Sequence, residues 1–234
     1  MSTRSGLEWL VLQVEALYRH DASGRITRFN GPPGDDDAAP LFFFGRAREG
    51  NLWRLRADLP DALVRELARL AGAEAASVDL GALPERAAVM RERIEHHFPV
   101  EHEWSGAAFR FPESVPRPGG VREVCADTRV AEAFPKLAAS LAGREPVFAI
   151  EQGGEIVSIA YCATVPGAAA EVGVDTVPAF RGRGFAAEVV SAWARAMQAR
   201  GVIPLYSAAA DNAASLVVAR KLGLTRFGSD FHFR

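Results

Sequence analysis

The chain has 234 residues, 49% of them hydrophobic and 24% charged, with a formal net charge of −2. That is the balance of a folded globular protein, and it leaves no bulk positive charge for nucleic acid or an anionic membrane surface. No apolar run reaches the roughly 20 residues of a membrane span, and the two cysteines, Cys125 and Cys162, make neither a disulfide framework nor a four-ligand zinc site, so a reducing cytoplasm is the expected setting.

Residues 7–19 carry apolar side chains at Leu7, Leu10, Val11, Val14, Leu17 and Tyr18, which is helical spacing. Glu8, Gln13 and Glu15 interrupt the run and no small-residue cleavage site follows, so it reads as a helix that stays on the chain. A short strand is expected over 24–30, a loop over 31–40, and two strands over 41–46 and 51–57 around Gly50-Asn51. A helix over 61–71 has Asp58 or Asp61 as its expected cap, and Gly72 ends it. A second helix is expected over 84–97, with Pro84 near its first turn. Residues 98–120 hold Pro99, Pro112, Pro116, Pro118 and Gly119-Gly120, interrupted by a short strand over 107–111. They divide the chain into an N-terminal α/β region (1–105), a Pro/Gly-rich linker (106–120) and a C-terminal domain (121–234).

The C-terminal part is more regular. A strand is expected over 121–125 and a helix over 129–142. Two β-rich runs within 146–165 flank Gly153-Gly154, a hairpin signal. Strands over 169–177 and 202–208, helices over 184–200 and 211–222, and a strand-like FGSDFHF complete the order β-α-β-β-β-α-β-α-β. Hairpins come first and one β-α-β crossover follows, which predicts an α/β (α+β) fold with a mixed, mostly antiparallel central sheet.

FRGRGFAAE, at 180–188, places Arg181-Gly182-Arg183-Gly184 at the mouth of the 184–200 helix. A helix N-terminus leaves N–H groups unpaired and carries partial positive charge, so such a mouth suits a phosphate. The P-loop pattern G-x-x-x-x-G-K-[ST] is absent. Gly182 to Ala187 does match the dinucleotide fingerprint G-x-G-x-x-A, but four residues intervene after the strand, no carboxylate ends the next strand at Tyr206-Ser207, and the hairpins do not suit a doubly wound parallel sheet.

The run Val174 to Ala186 resembles the acyl-CoA loop of the GNAT superfamily, the CoA-dependent N-acyltransferases, whose [Q/R]-x-x-G-x-[G/A] is met by Arg181, Gly184 and Ala186. Asp211-Asn212-Ala213-Ala214-Ser215 followed by Ala219-Arg220-Lys221-Leu222-Gly223-Leu224 is similar to the last motif of that superfamily. The resemblance covers roughly residues 120–234. It implies a GNAT-like sheet and an acetyltransferase that uses acetyl-CoA as co-substrate, with no metal. The acceptor it implies is a primary amine on a small molecule or peptide, attacked directly. Neither nucleic acid nor membrane is implied as a partner.

The residues implied for acetyl-CoA are Val174, Asp175, Thr176, Val177, Arg181, Gly182, Arg183, Gly184, Phe185, Ala186 and Asn212. An alkylamine with a pKa near 10.4 is only about one part in a thousand neutral at pH 7, so a base is useful. The resemblance places it at Glu171, with Asp175 second. Many members carry a tyrosine as general acid where this chain has Ala219. Ser215 is then the best-placed hydroxyl for the leaving thiolate, and Tyr206 is another. A non-catalytic CoA-binding or sensory module on the same fold is the alternative. EHHFPVEHEW (95–104) lacks the i, i+4 histidine pairing of a helical metal site and reads as a charged connection. Cys162 reads as packing.

Overall fold

A reciprocal cap starts the first helix in the computed structural model, which describes residues 4–35, 37–125 and 128–234. Ser5 Oγ accepts from the Glu8 N–H at 3.2 Å, and Glu8 Oε2 accepts from the Ser5 N–H at 2.6 Å. Helix α1 (Gly6–Leu17) therefore begins with two end groups satisfied. It stops at Leu17, short of the expected 19, because Tyr18 turns extended and pairs as β1 (Tyr18–His20) with β2 (Ile26–Phe29).

The chain continues through β3 (Phe42–Ala47), β4 (Gly50–Leu55), α2 (Asp61–Gly72), α3 (Ala87–Glu95) and β5 (Glu103–Arg110). The cap of α2 differs from expectation. Pro60 holds the cap position and no side chain bonds there. Asp61 binds Arg25 at 2.7 Å and Asp58 binds Arg56 at 2.7 Å, so both carboxylates are drawn to guanidinium groups. Next come β6 (Val121–Glu123), α4 (Thr128–Ala133) and α5 (Pro135–Ala138). The single helix expected over 129–142 is thus two short ones, because Pro135 cannot donate within a helix interior and instead opens α5. The remaining elements are β7 (Phe148–Gln152), β8 (Glu155–Cys162), β9 (Ala169–Thr176), a 3-10 turn at Pro178–Phe180, α6 (Phe185–Ala199), β10 (Ile203–Ala209), α7 (Ala213–Lys221) and β11 (Thr225–Phe233).

Nine strands form one sheet in the order β4-β3-β11-β5-β10-β9-β8-β7-β6. Every pairing is antiparallel except β9 with β10. This is the mixed, mostly antiparallel sheet that the element order predicts. Strands from residues 1–105 share it with the C-terminal strands, and β5, whose 103–110 span crosses the 105/106 boundary, lies between β10 and β11.

Side-chain alternation fills both faces. On one face α6 brings Val190, Trp193 and Met197 onto Phe109, Ala170 and Tyr206. Farther along that face Phe42, Phe44, Phe231 and Phe233 pack with Leu63 and Leu67 of α2 and Ile94 of α3. On the opposite face Leu10 of α1 meets Ala108, Ala169, Leu205 and Phe227. The Pro/Gly-rich segment is strapped to α6. Gln198 donates to the Pro112 carbonyl at 2.8 Å, Arg195 to Val115 at 3.0 Å and Ser191 to Pro116, while Glu188 accepts from the Gly119 N–H at 2.8 Å.

Trp193 is fully buried at the centre of this packing, and its Nε1–H points to Cys162 Sγ at 3.3 Å. Trp193→Ala should cost about 3–5 kcal/mol of unfolding free energy, measurable as a lower urea midpoint with an unchanged slope.

Candidate functional site

β9 and β10 are joined over a short seam, Ile203 with Ala169, Pro204 with Ala170 and Leu205 with Glu171. Beyond Glu171 each follows its other neighbour. β9 pairs with β8 from Val172 to Thr176, and β10 pairs with β5 from Leu205 to Ala209. The strands diverge, and a cleft of about 460 Å³ opens between them on the α6/α7 face. That volume is typical of small-molecule sites.

The hydrogen-bond phase of β9 decides which backbone groups face the cleft. Ala163 N–H donates to the Glu171 carbonyl, and Val177 N–H donates to the Val157 carbonyl. Odd-numbered residues thus turn their amides to β8, leaving those of Val174 and Thr176 toward the gap. The Thr176 carbonyl there accepts from Arg181 Nε at 3.2 Å.

The cleft mouth is the start of α6. Gly182 and Gly184 have φ of 78° and 91°, in the left-handed region that favours glycine. Gly184 is the cap residue and no side chain bonds the helix end, so its first N–H groups and partial positive charge face the cleft. Lys221 Nζ lies 3.5 Å from where a Cβ on Gly184 would sit, which brings a further cation to the loop. Of the residues expected for acetyl-CoA, Val174, Asp175, Thr176, Arg181, Gly182, Gly184, Phe185, Ala186 and Asn212 line the cleft. Val177 and Arg183 do not. Val177 is bonded to β8, and Arg183 donates to the Ala179 carbonyl and lies 4.8 Å over the Phe180 ring.

Glu171 is the last paired residue of the seam; its side chain is on the α1 face, and it does not line the cleft. It is 4% exposed. Its Oε1 accepts from Ser207 Oγ at 2.9 Å, and Ser207 Oγ accepts from Gln13 Nε2 at 3.1 Å. Burial raises its pKa to about 7, against the pull of the Ser207 and Gln13 hydrogen bonds. Asp230 stands beside the same Gln13 amide, 3.5 Å from Nε2. Burial and the Glu171 charge push it well above the usual carboxylate range. Asp175 is exposed and accepts from Tyr161 OH at 3.0 Å.

Asn212 caps α7. Its Oδ1 accepts from the Ser215 N–H at 3.0 Å while the residue lines the cleft, so it serves the helix and the site together. Ser215 also lines the cleft, as does Tyr206, whose hydroxyl donates to the Ser215 carbonyl at 3.3 Å. Ala219 is buried in the α6 core. Cys162 packs there too, and burial raises its thiol pKa. Gln13, Ser207 and Asp230 had no sequence signal, since they lie far apart in the chain and on no motif. Lys221 was visible as part of the Ala219–Leu224 motif.

Residues 147–229 match the profile of the GNAT acetyltransferase family. No curated protein matches the chain. Among solved structures it is similar to a GNAT-family protein from Novosphingobium aromaticivorans DSM 12444, at 22% identity and a TM-score of 0.50, covering 58% of this chain and 66% of that one. A Drosophila protein matches at 10% identity and a TM-score of 0.51, covering 98% of this chain and 87% of that one. These likenesses speak to the fold, and the second takes in both halves of the sheet.

A carboxyl that holds its proton more tightly folded than unfolded favours folding while protonated. Glu171 is raised from 4.5 to about 7, so its contribution is complete below about pH 4.5 and is lost as pH rises through about 7. Asp230 acts in the same direction. Unfolding free energy from urea titrations should therefore fall between about pH 5 and about pH 8, and Glu171→Gln should flatten that slope.

Proposed function

We propose that this chain, whose C-terminal half carries a GNAT domain, transfers an acetyl group from acetyl-CoA to a primary amine of a small molecule or peptide by direct attack. The observation that carries the reading is the divergence of β9 from β10. It sets unpaired amides along one wall of a cleft and a cationic helix N-terminus at its mouth, and the buried carboxyl of Glu171 ends the seam from which the strands part.

The residues fit the ligand. The turn at Gly182–Gly184, the start of α6, Arg181 and Lys221 would hold the pyrophosphate. The Val174 and Thr176 N–H groups would bond the pantetheine arm and the acyl oxygen, donors already in place before charge develops. Acetyl-CoA supplies the activated thioester. Glu171, its pKa raised to about 7, takes the proton of the attacking amine from the α1 face. Ser215 donates to the departing sulfur, with Tyr206 the other cleft hydroxyl in reach of α7. Ala219, at the place of the usual tyrosine, favours a second reading, a CoA-binding module without turnover.

Acetyl-CoA at about 100 times its dissociation constant should add roughly 2.7 kcal/mol, a rise in Tm of about 5–10 °C for a chain this size. NAD(P) should give none. Lys221→Met should weaken acetyl-CoA binding by about tenfold or more. Glu171→Gln should keep the thermal shift and lower turnover about 10²–10⁴-fold. A shift with no turnover by the wild-type chain on any amine would select the binding module, and no shift with acetyl-CoA would overturn both readings.

A further inference from the structure

On the α1 face, across the sheet from the cleft, lies a second cavity of about 160 Å³. It is lined by Leu17, Tyr18, Phe29, Pro40, Trp104, Ser207, Asp230, His232 and Arg234. Its walls are largely apolar and aromatic. Its polar end holds groups that lack ordinary partners. Asp230 is 4% exposed; it accepts from its own backbone N–H, and the Gln13 amide lies at 3.5 Å and His232 Nδ1 at 4.0 Å. Among the described residues His232 Nδ1 is buried with no hydrogen-bond partner, as is Gln13 Oε1 behind the cavity wall. Trp104 stacks on the His232 ring, centroids 5.1 Å apart and planes within 8°, and fixes the imidazole. Burial lowers the pKa of His232 to about 4, so it is neutral and one ring nitrogen is an acceptor.

A buried carboxyl and an unpartnered ring nitrogen ask for a donor, and Arg234, the cation that also lines the cavity, is engaged by Asp37 at 3.2 Å and by the Ala38 carbonyl. An ammonium group is positively charged and carries three N–H donors. Placed between Asp230 and His232 it would satisfy both, with Ser207 Oγ, which lines the same cavity, as an acceptor for the third. Ser207 donates to Glu171 at 2.9 Å, so one hydrogen bond separates this end of the cavity from the carboxyl that ends the seam. A cavity of about 150 Å³ admits a benzene-sized body. From this geometry we infer that the cavity is the acceptor subsite and that it takes a compact primary alkyl- or arylalkylammonium. Asp230 and His232 hold the ammonium, and Tyr18, Phe29 and Trp104 cover its apolar body. Most of these walls come from residues 1–105, which gives that region a role in acceptor choice.

The inference rests on the transferase reading for its catalytic meaning, and its test separates the two. n-Butylamine and benzylamine are the probes, with a lysine-containing peptide as the bulky comparison. Binding of n-butylammonium, followed by Trp104 indole shifts in NMR, needs no turnover. It should be seen with the wild-type chain and fall about tenfold or more in Asp230→Asn, a near-isosteric change that removes the charge. Leu17→Phe, which fills the apolar end and leaves the polar end intact, should weaken benzylamine binding. In steady state, Asp230→Asn should raise KM for n-butylamine at least tenfold while the acetyl-CoA thermal shift stays. Absence of butylammonium binding to the wild-type chain, binding untouched by both variants, or equal turnover of the peptide would overturn the inference. Loss of the acetyl-CoA shift in the wild-type chain would instead strike the transferase reading.

Discussion

The parallel seam between β9 and β10 is the constraint on which the rest depends. It is short, it is the parallel ladder in an otherwise antiparallel sheet, and Pro204 within it has no N–H to give. On either side the partners are longer, β8 for β9 and β5 for β10. Each half-sheet keeps its own right-handed twist, so the strands part once the seam ends. Backbone amides left without a strand partner are costly when buried. Here they face a cleft that a polar ligand can fill, so the weakest joint of the sheet is also its most receptive surface.

The same seam sets the electrostatics. Glu171 is the last paired residue, and α1 covers it from the far side with Gln13. Few polar contacts reach it, so the neutral acid is favoured and its proton is released near neutrality. A cation approaching Asp230 and Glu171 would reverse that preference, which ties the ionisation of the pair to occupancy of the neighbouring cavity. Under the proposed function the two faces of the sheet would divide the labour, with phosphate and thioester on the α6/α7 side and the charged amine on the α1 side.

Much of this was legible in the sequence because it is local. Gly153-Gly154 turns a hairpin, Gly182 and Gly184 sit where left-handed backbone is required, and the Asn212 cap lies three residues from the amide it accepts. Where reading failed, a longer-range force decided. β5 was expected as a short strand in a linker, since the prolines after it dominate the local signal. Its small residues Gly106, Ala107 and Ala108 serve close packing between two strands, and a Cβ on Gly106 would fall 2.5 Å from the Ala208 carbonyl oxygen. The Gln13–Ser207–Asp230 cluster joins an early helix to two late strands, and no spacing rule could have assembled it. Asp61 reads as a cap in isolation but is taken by Arg25, thirty-six residues earlier.

The place of β11 has a consequence for how the chain is made. It is inserted between β3 and β5, strands that precede it by most of the C-terminal half. As the ribosome releases the N-terminal strands, the slot between them has no occupant, and two edges with free N–H and C=O groups stand open. Any nascent fold must hold that slot apart, or leave β3 and β5 unsettled, until residues 225–233 emerge. The cleft between β9 and β10, which needs β10 anchored on β5, is therefore completed late in synthesis. The interval before it closes is when this chain is most exposed to pairing with the wrong strand.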